Sequence, residues 1–539
     1  MDCLIISYSQ PNRNRERQQF FEDKLSKSSG FNRYLKLNFA EFEGDMLLPN
    51  HLTSLAKLTS ENKKIEKDDQ GYFKESDVSV YSSWRVPLLG GLYLYQYLKK
   101  MSFDVRLIRH AQFEKNYLDS YLSQGPKVIA ISTTLILHPL DIIELMLYCR
   151  ERCPESFIVL GGPTIWDEYL ANGKKTKPFK NYRADAIVMD PIGFRTLGLV
   201  VDHIKNKKSL NTIPNLLLLN KVSMEETVQR PEVFDFQKDL MDWNLLDSDL
   251  LGKITWIQTQ RSCPFACSFC SSPMIQGEVQ LAELHTIEAE LKALQKKGVE
   301  YLLFVDDTFN IPKTRFKHLL DLLKKFDFKW FSYIRCQHLE EHQVLDMKES
   351  GCYGVYLGLE SANDRILKNM DKQATVDSYR RAVGWMASQN IYTYGSFIAG
   401  FPGETDESLG DMKDFIETSG LNSYALKAFY YDHSTPIHVS RGEFGLSGNR
   451  FLWSHDTMTS PQAFDKIEEM IMDIKTTYVP QHGGELWERA YYLEQGFSEG
   501  QIQILYEIFH KILTSKKLPS PNGIDNQRKL FSQLVESFS

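Results

Sequence analysis

The chain has 539 residues, more than one ordinary core accommodates, so two or three domains are expected. With 42% hydrophobic and 25% charged residues it has a globular composition, and a net charge of −7 gives no electrostatic case for a nucleic-acid partner or an anionic membrane surface. No apolar run approaches the ~20 residues that span a bilayer, residues 1 to 10 lack the features of a signal peptide, and the eight cysteines form no disulfide-like framework, so a reducing cytoplasm is the expected setting.

In chain order, "DCLIISY" reads as a short buried strand, and residues 10 to 80 are polar and weakly periodic, as in an insertion. From residue 85 the element types alternate. "VPLLGGLYLYQYLKKM" is helical, "FDVRLI" and "KVIAIST" are strands, "PLDIIELMLYCRER" is a helix and "FIVLGG" a strand. Apolar strands alternating with amphipathic helices predict a parallel sheet covered on both faces, a doubly wound domain over residues 1 to 215. In such sheets ligands sit beyond the carboxyl ends of the strands, here the turns "STTLILHP" and "GGPT". Residues 216 to 250 read as a linker.

A second alternating series runs from residue 251 to 431. Its strands are "ITWIQT", "YLLFVD", "WFSYIR", "GVYLGL", "YTYGSFIAG" and "SYALKAFYY". The helices between them are well marked, as in the stripe Ile287, Leu291 and Leu294 that ends at Gly298. Six strand–helix units predict a partial barrel rather than a closed eight-fold one. Residues 432 to 539 turn aromatic and irregular ("WSHDTM", "ELWERAYYLEQGF") and then close with helical segments, an extension expected to face substrate. The fold class is therefore α/β, with a mostly helical C-terminal extension.

The first strand of the second series is followed by "RSCPFACSFC", which places Cys263, Cys267 and Cys270 in a C-x3-C-x2-C spacing. Three thiolates can hold three corners of a cubane [4Fe–4S] cluster and leave one iron open to an outside ligand. A zinc site completed by a distant histidine, or three unrelated core cysteines, are the other readings of the same residues. Position at the carboxyl end of a barrel strand, where barrel enzymes place their chemistry, favours the cluster.

This spacing, with the strand-end motifs that follow it, resembles the radical S-adenosylmethionine (SAM) superfamily. The resemblance implies that residues 251 to 431 form the core of that fold, and that SAM chelates the open iron and is cleaved to a 5′-deoxyadenosyl radical. Phe269 matches the aromatic that covers the adenine. Asp306 and Asp307, in "FVDDTFN", end the second strand, where the family's backbone meets the SAM amino group. Arg335 suits the SAM carboxylate, and Glu360, in "GLES", resembles the ribose-contacting position. "SFIAGFPGET" resembles the loop after the fifth strand, with a different glycine spacing. The first domain is similar to a cobalamin-binding domain, with Thr133, Thr134, Leu135, Gly161, Gly162 and Pro163 as candidate contacts or as ordinary turn residues. D-x-H-x-x-G is absent after the first strand, so any cobalamin is expected to lack a histidine beneath cobalt.

The remaining candidates separate by position. Cys149 and Cys153, at i and i+4, read as core filling. His455 reads as structural or as a substrate contact. Cys352 precedes the fourth strand and belongs to the barrel floor, whereas Cys336 follows Arg335 at the mouth, where a thiol could return hydrogen to a carbon radical. "IRCQHLEEHQVLDMKESGCYGVYLGLES", "LKNMDKQAT", "FIAGFPGET", "YYDHSTPI" and "WSHDTM" resemble the group that holds phosphinothricin-type P-methyltransferases and proteusin-type peptide epimerases. That likeness implies L-to-D epimerisation of a ribosomally made precursor peptide with a leader segment, with Cys336 as donor. Alternatively it implies cobalamin-dependent methylation of a peptide or small molecule; a scaffold that binds a peptide or cobalamin without turnover is a separate, more distant reading. Either enzyme needs an electron donor such as a flavodoxin or ferredoxin. Epimerisation is the favoured expectation.

Overall fold

The computed structural model describes residues 1–9, 85–134, 136, 139–220, 223–477, 485–515 and 522–538. The insertion expected at 10 to 80 and the candidate Leu135 lie outside the described residues. The described chain forms two compact units, one of residues 1–9, 85–265 and 271–299, the other of 266–270 and 300–538.

In the first unit the expected elements form, in the expected order: β1 (Cys3–Ile6), α1 (Leu89–Lys100), β2 (Val105–Ile108), α2 (Lys115–Ser123), β3 (Val128–Ser132), α3 (Pro139–Arg152), β4 (Phe157–Gly161) and α4 (Pro163–Ala171). β5 (Ala186–Val188) and α5 (Phe194–Lys205) complete the series. The sheet runs β2-β1-β3-β4-β5, all parallel. Its order reverses between β1 and β3, and at such a switch point a crevice opens beyond the strand ends. Each strand is an apolar run because helices cover both faces; Ile129, Ile131, Ile158 and Leu160 share one core with Cys149 of α3 and Cys153 just beyond it. The Cys153 thiol donates to the Leu122 carbonyl, so the pair fills core and holds no metal.

One expectation is corrected here. Residues 216 to 226 are not linker: β6 (Leu216–Leu219) and β7 (Met224–Glu226) extend the same sheet antiparallel, β6 against β5 and β7 against β6. β7 is the edge, with both glutamates exposed, so it carries no apolar alternation for a sequence reading to catch. The first unit also holds β8 (Ile254–Ile257), the short α6 (Ser272–Gln276) and α7 (Leu284–Lys296), whose Ile287, Leu291 and Leu294 stripe is fully buried.

The second unit is built on five parallel strands, β9 (Tyr301–Phe304), β10 (Lys329–Ile334), β11 (Cys352–Glu360), β12 (Tyr392–Ala399) and β13 (Ser423–Ala428), paired in that order. α8 (Lys313–Leu323), α9 (Glu341–Glu349), α10 (Asp364–Asn369), α11 (Val376–Ser388) and α12 (Asp406–Thr418) occupy the crossovers. Capping boxes open α9, α11 and α12 at Glu340, Thr375 and Thr405, so backbone donors at those starts are met locally. Beyond the strands come a small hairpin sheet (Ser447–Asn449, Leu452–His455, Met458–Thr459), α13 (Ser460–Asp473), α14 (Glu485–Glu494), α15 (Glu499–Ser515) and α16 (Asn522–Phe538). "ELWERAYYLE", expected to be irregular, is the helix α14; it is buried on several sides, and a helix covered all round loses the one-sided stripe. Among the described residues no helix is long and apolar enough to cross a membrane.

Candidate active site

The residues around Cys267 are held by backbone rather than by packing alone. The Cys270 N–H donates to the Cys267 carbonyl at 3.0 Å, closing a tight turn. Within it, Ser268 donates its N–H to the Met370 carbonyl at 2.9 Å and its hydroxyl to the Asn369 carbonyl at 3.0 Å, and accepts from the Ile437 N–H at 2.8 Å. Cys267 is buried, and Cys263 and Cys270 are half-buried; Cys263 belongs to the first unit, Cys267 and Cys270 to the second. Among the described residues, no three His, Cys, Asp or Glu side chains converge as they would around a single metal ion.

Arg335 stands directly beside Cys267. Its Nη1 lies 3.4 Å from Cys267 Sγ and its Nη2 donates to the Lys372 carbonyl at 2.5 Å. Asn310 fixes the Arg335 backbone from both sides, accepting its N–H and donating to its carbonyl, each at 3.0 Å. Lys372 Nζ in turn pairs with Glu360 at 3.0 Å and lies 5.5 Å from the centre of the Phe269 ring. Cys267, Phe269, Arg335, Glu360 and Lys372 therefore form one connected group.

Its charge is informative. Arg335 and Lys372 are only 7% and 5% exposed. Buried cations are costly without anions beside them, and Glu360 supplies one to Lys372. A cysteine thiolate at 267 would face the Arg335 guanidinium directly. The residues present thus fit a thiolate-bound cluster with a carboxylate-bearing molecule at its side.

Glu360 is held in an unusual backbone state. Its φ is +66°, and the register of β11 against β12 shifts between Gly358 and Glu360. A non-glycine residue in the left-handed region at a bulge is a feature that aims a side chain. Here the carboxylate folds back over Gly358: a Cβ on that glycine would come 2.6 Å from Glu360 Oε1 and 3.3 Å from Lys372 Nζ.

The other candidates separate cleanly. Asp306 is buried and Asp307 is exposed, while Asn310, from the same motif, reaches Arg335. Cys352 starts β11 and is buried at the floor, as expected. His455 is structural: its Nε2 lies 3.1 Å from the Gly400 carbonyl and its ring stacks on Trp453. Cys336 does not open onto the mouth. Arg335 reaches Cys267, and the turn Cys336–His338, with Cys336 2% exposed, packs on α11. Burial pushes the Cys336 thiol up to about 12, so it stays protonated.

In the first unit, Thr133, Thr134, Gly161, Gly162 and Pro163 lie together at the carboxyl ends of β3 and β4. Thr133 donates its N–H (2.8 Å) and hydroxyl (3.1 Å) to the Gly161 carbonyl, and Thr164 donates to the Thr133 carbonyl at 2.5 Å. Gly162 has φ +117°, and a Cβ there would stand 3.0 Å from Thr133 N. The two turns thus approach each other as closely as glycine permits, forming a shallow cradle of hydroxyls and bare backbone that suits a large polar-rimmed cofactor.

Two members of the central group were not visible beforehand. Lys372 lies in a six-residue connection where its neighbours Asp371 and Gln373 both have positive φ, and nothing in "MDKQAT" marks a buried lysine. Asn310 was within a quoted motif, but its bidentate role needs two strand ends side by side.

The radical SAM superfamily matches residues 257–416. An uncharacterised methyltransferase of Pyrococcus horikoshii is 35% identical over 320 residues, 57% of this chain and 67% of that protein. The bacteriochlorophyllide d C-12(1)-methyltransferase of Chlorobaculum tepidum is 30% identical over 167 residues, and the ribosomal protein uS12 methylthiotransferase RimO of Chlorobium phaeobacteroides 27% over 200. The chain spans 36% and 46% of the length of these last two. Among solved structures, the radical SAM methyltransferase TsrM from Kitasatospora setae, with cobalamin and a [4Fe–4S] cluster bound, shares the fold at a TM-score of 0.55 and 15% identity, covering 84% of this chain and 97% of that one. The cobalamin-dependent SAM radical enzyme OxsB, with aqua-cobalamin bound, gives 0.56 and 14%, covering 91% and 85%.

Proposed function

Because the chain belongs to the radical SAM superfamily, we propose that it is a cobalamin-dependent methyltransferase acting on a small molecule. The observation that carries this reading is the long likeness to a methyltransferase, in a chain that joins a doubly wound unit to the radical SAM strands. When bound, the cluster supplies the electron that opens a carbon–sulfur bond of SAM, and cobalamin serves as the methyl carrier.

The chain's own residues bind and orient. Cys263, Cys267 and Cys270 would hold the cluster, Arg335 the SAM carboxylate, the Glu360–Lys372 pair the ribose and Phe269 the adenine. Thr133, Thr134, Gly161, Gly162 and Pro163 would hold cobalamin without a histidine beneath cobalt. α6, which begins two residues after Cys270, packs on α4, whose amino terminus carries Gly162. A flavodoxin or ferredoxin would supply the electron.

Peptide epimerisation, the favoured expectation from sequence, has no such support. The curated relatives named above are named for methyl or methylthio transfer, and the thiol cast as hydrogen donor is buried. The two readings leave different remains of SAM. Methyl transfer yields S-adenosylhomocysteine, whereas epimerisation yields only 5′-deoxyadenosine and methionine. The reduced, reconstituted protein is expected to form S-adenosylhomocysteine only when hydroxocobalamin is added. Deoxyadenosine alone, with or without cobalamin, would overturn the methyltransferase reading.

A further inference from the structure

We infer that the amino terminus of α1, in the first unit, seats a phosphate: the phosphodiester in the nucleotide loop of cobalamin. The inference rests on the cofactor of the reading above and deepens it to the residues that meet one group of that cofactor.

The start of α1 is left uncapped. Leu88, at the cap position, makes no side-chain hydrogen bond, and the first turn holds no acidic residue. The Leu92 N–H donates to the Leu88 carbonyl at 3.1 Å, and among the described residues the N–H groups of Leu89, Gly90 and Gly91 ahead of it meet no acceptor. Such an end presents aligned donors and about half a positive charge, which suits an anion.

Two glycines make that end bare, for different reasons. Gly91 lies against the end of β1, where a Cβ would stand 2.4 Å from Ser7 Oγ. Gly90 is exposed, and a Cβ there would meet nothing closer than Thr134 Oγ1 at 3.6 Å, an ordinary contact. Its φ is not positive, so neither packing nor conformation requires glycine at 90, and glycine weakens a helix relative to alanine. Backbone kept open for a ligand accounts for it.

Hydroxyls gather at the same end. Ser7, directly after β1, is 1% exposed, and its Oγ faces the first turn at Gly91 with no hydrogen-bond partner. A buried hydroxyl left unpaired is costly, so its O–H calls for an acceptor at that turn. The Ser132 and Thr134 hydroxyls lie 2.9 Å apart; whichever donates, one O–H hydrogen of the pair is left for a third group. β1 and β3 are the strands where the sheet order reverses, and Thr134 also adjoins Gly162 in the cradle. A phosphodiester carries a single negative charge and unbridged oxygens, which matches an end offering donors and only partial charge.

The test compares hydroxocobalamin with diaquacobinamide, which keeps the corrin ring and lacks the nucleotide loop, by equilibrium dialysis against the full chain. Wild type is expected to bind cobalamin at least about tenfold more tightly than cobinamide. Gly90→Asp puts a carboxylate into the seat at a helix position that favours acids. It should weaken cobalamin about tenfold and cobinamide by less than about twofold. Gly90→Asn, of the same shape without the charge, should bind cobalamin as wild type does. Each variant is checked by thermal melting, and where Gly90→Asp does not fold, Ser7→Ala decides by the same split: weaker cobalamin, unchanged cobinamide. Equal wild-type affinities, no binding of either corrinoid, unchanged cobalamin affinity in Gly90→Asp, or an equal loss in the Asp and Asn variants would overturn the inference. S-adenosylhomocysteine formation by the same wild-type preparation is measured separately. Its failure alone would remove the methyltransferase reading and leave the phosphate seat standing, and failure of the dialysis split alone would do the reverse.

Discussion

Glu404 shows how a single buried group reports on the strand end it supports. Its carboxylate accepts the Gly400 N–H and is fully enclosed, and burial pushes the carboxyl up to about 8. An ordinary glutamate titrates near 4.3 when unfolded. A raised folded value means that the folded state holds the extra proton between those limits, so its stabilising effect is complete below the lower one and is lost as pH rises through about 8. Glu404→Gln keeps the acceptor and discards the titration. Its stability relative to wild type should rise, on the order of 1 kcal/mol per pH unit, as denaturant melts are taken from pH 5 to 8. Parallel pH curves for the two proteins would show that Glu404 is not buried as described. At this scale the nearness of Cys267, Phe269, Arg335 and Glu360 was legible because motif and strand end coincide. Lys372 was not, because a lysine enters such a group only through a fold-back that composition does not encode. Cys336 misled because being level with the mouth says nothing of which side a residue faces.

Among elements, the bulge at the end of β11 is the most consequential. Gly358→Ala should displace the Glu360–Lys372 pair, since the added methyl would stand 2.6 Å from Glu360 Oε1. SAM binding, followed by equilibrium dialysis, should weaken by about tenfold with the melting temperature nearly unchanged, because alanine suits a strand better than glycine. Unchanged SAM affinity would separate Glu360 from the cofactor. The helix α14 makes a second case. Read as irregular from its sequence, it lays Leu486 and Trp487 on the strands, so Trp487→Ala should cost about 3 kcal/mol in urea unfolding. A loss below about 0.5 kcal/mol would mark α14 as an appendage. Every expected strand of both series formed, because alternating apolar runs and striped helices carry their own period. β7 escaped notice because an exposed edge strand has none.

Across the whole molecule, the first sheet offers a glycine-and-hydroxyl cradle at a switch point and the second a cationic group around Cys267. Alternation of strands and helices disclosed both sheets, but the β2-β1-β3 reversal that creates the crevice is a property of strand order, which no local pattern records. The choice between methylation and epimerisation likewise depended on where one thiol points and on relatives, not on motif spacing. All of these roles presuppose a cluster on three cysteines. The direct measurement is iron content and 5′-deoxyadenosine formation by anaerobically reconstituted wild type and by the Cys263→Ala, Cys267→Ala, Cys270→Ala triple variant, each with SAM and a strong reductant. The wild type should hold about four irons per chain and release deoxyadenosine, and the triple variant neither. A triple variant that keeps its iron and still cleaves SAM would contradict the account.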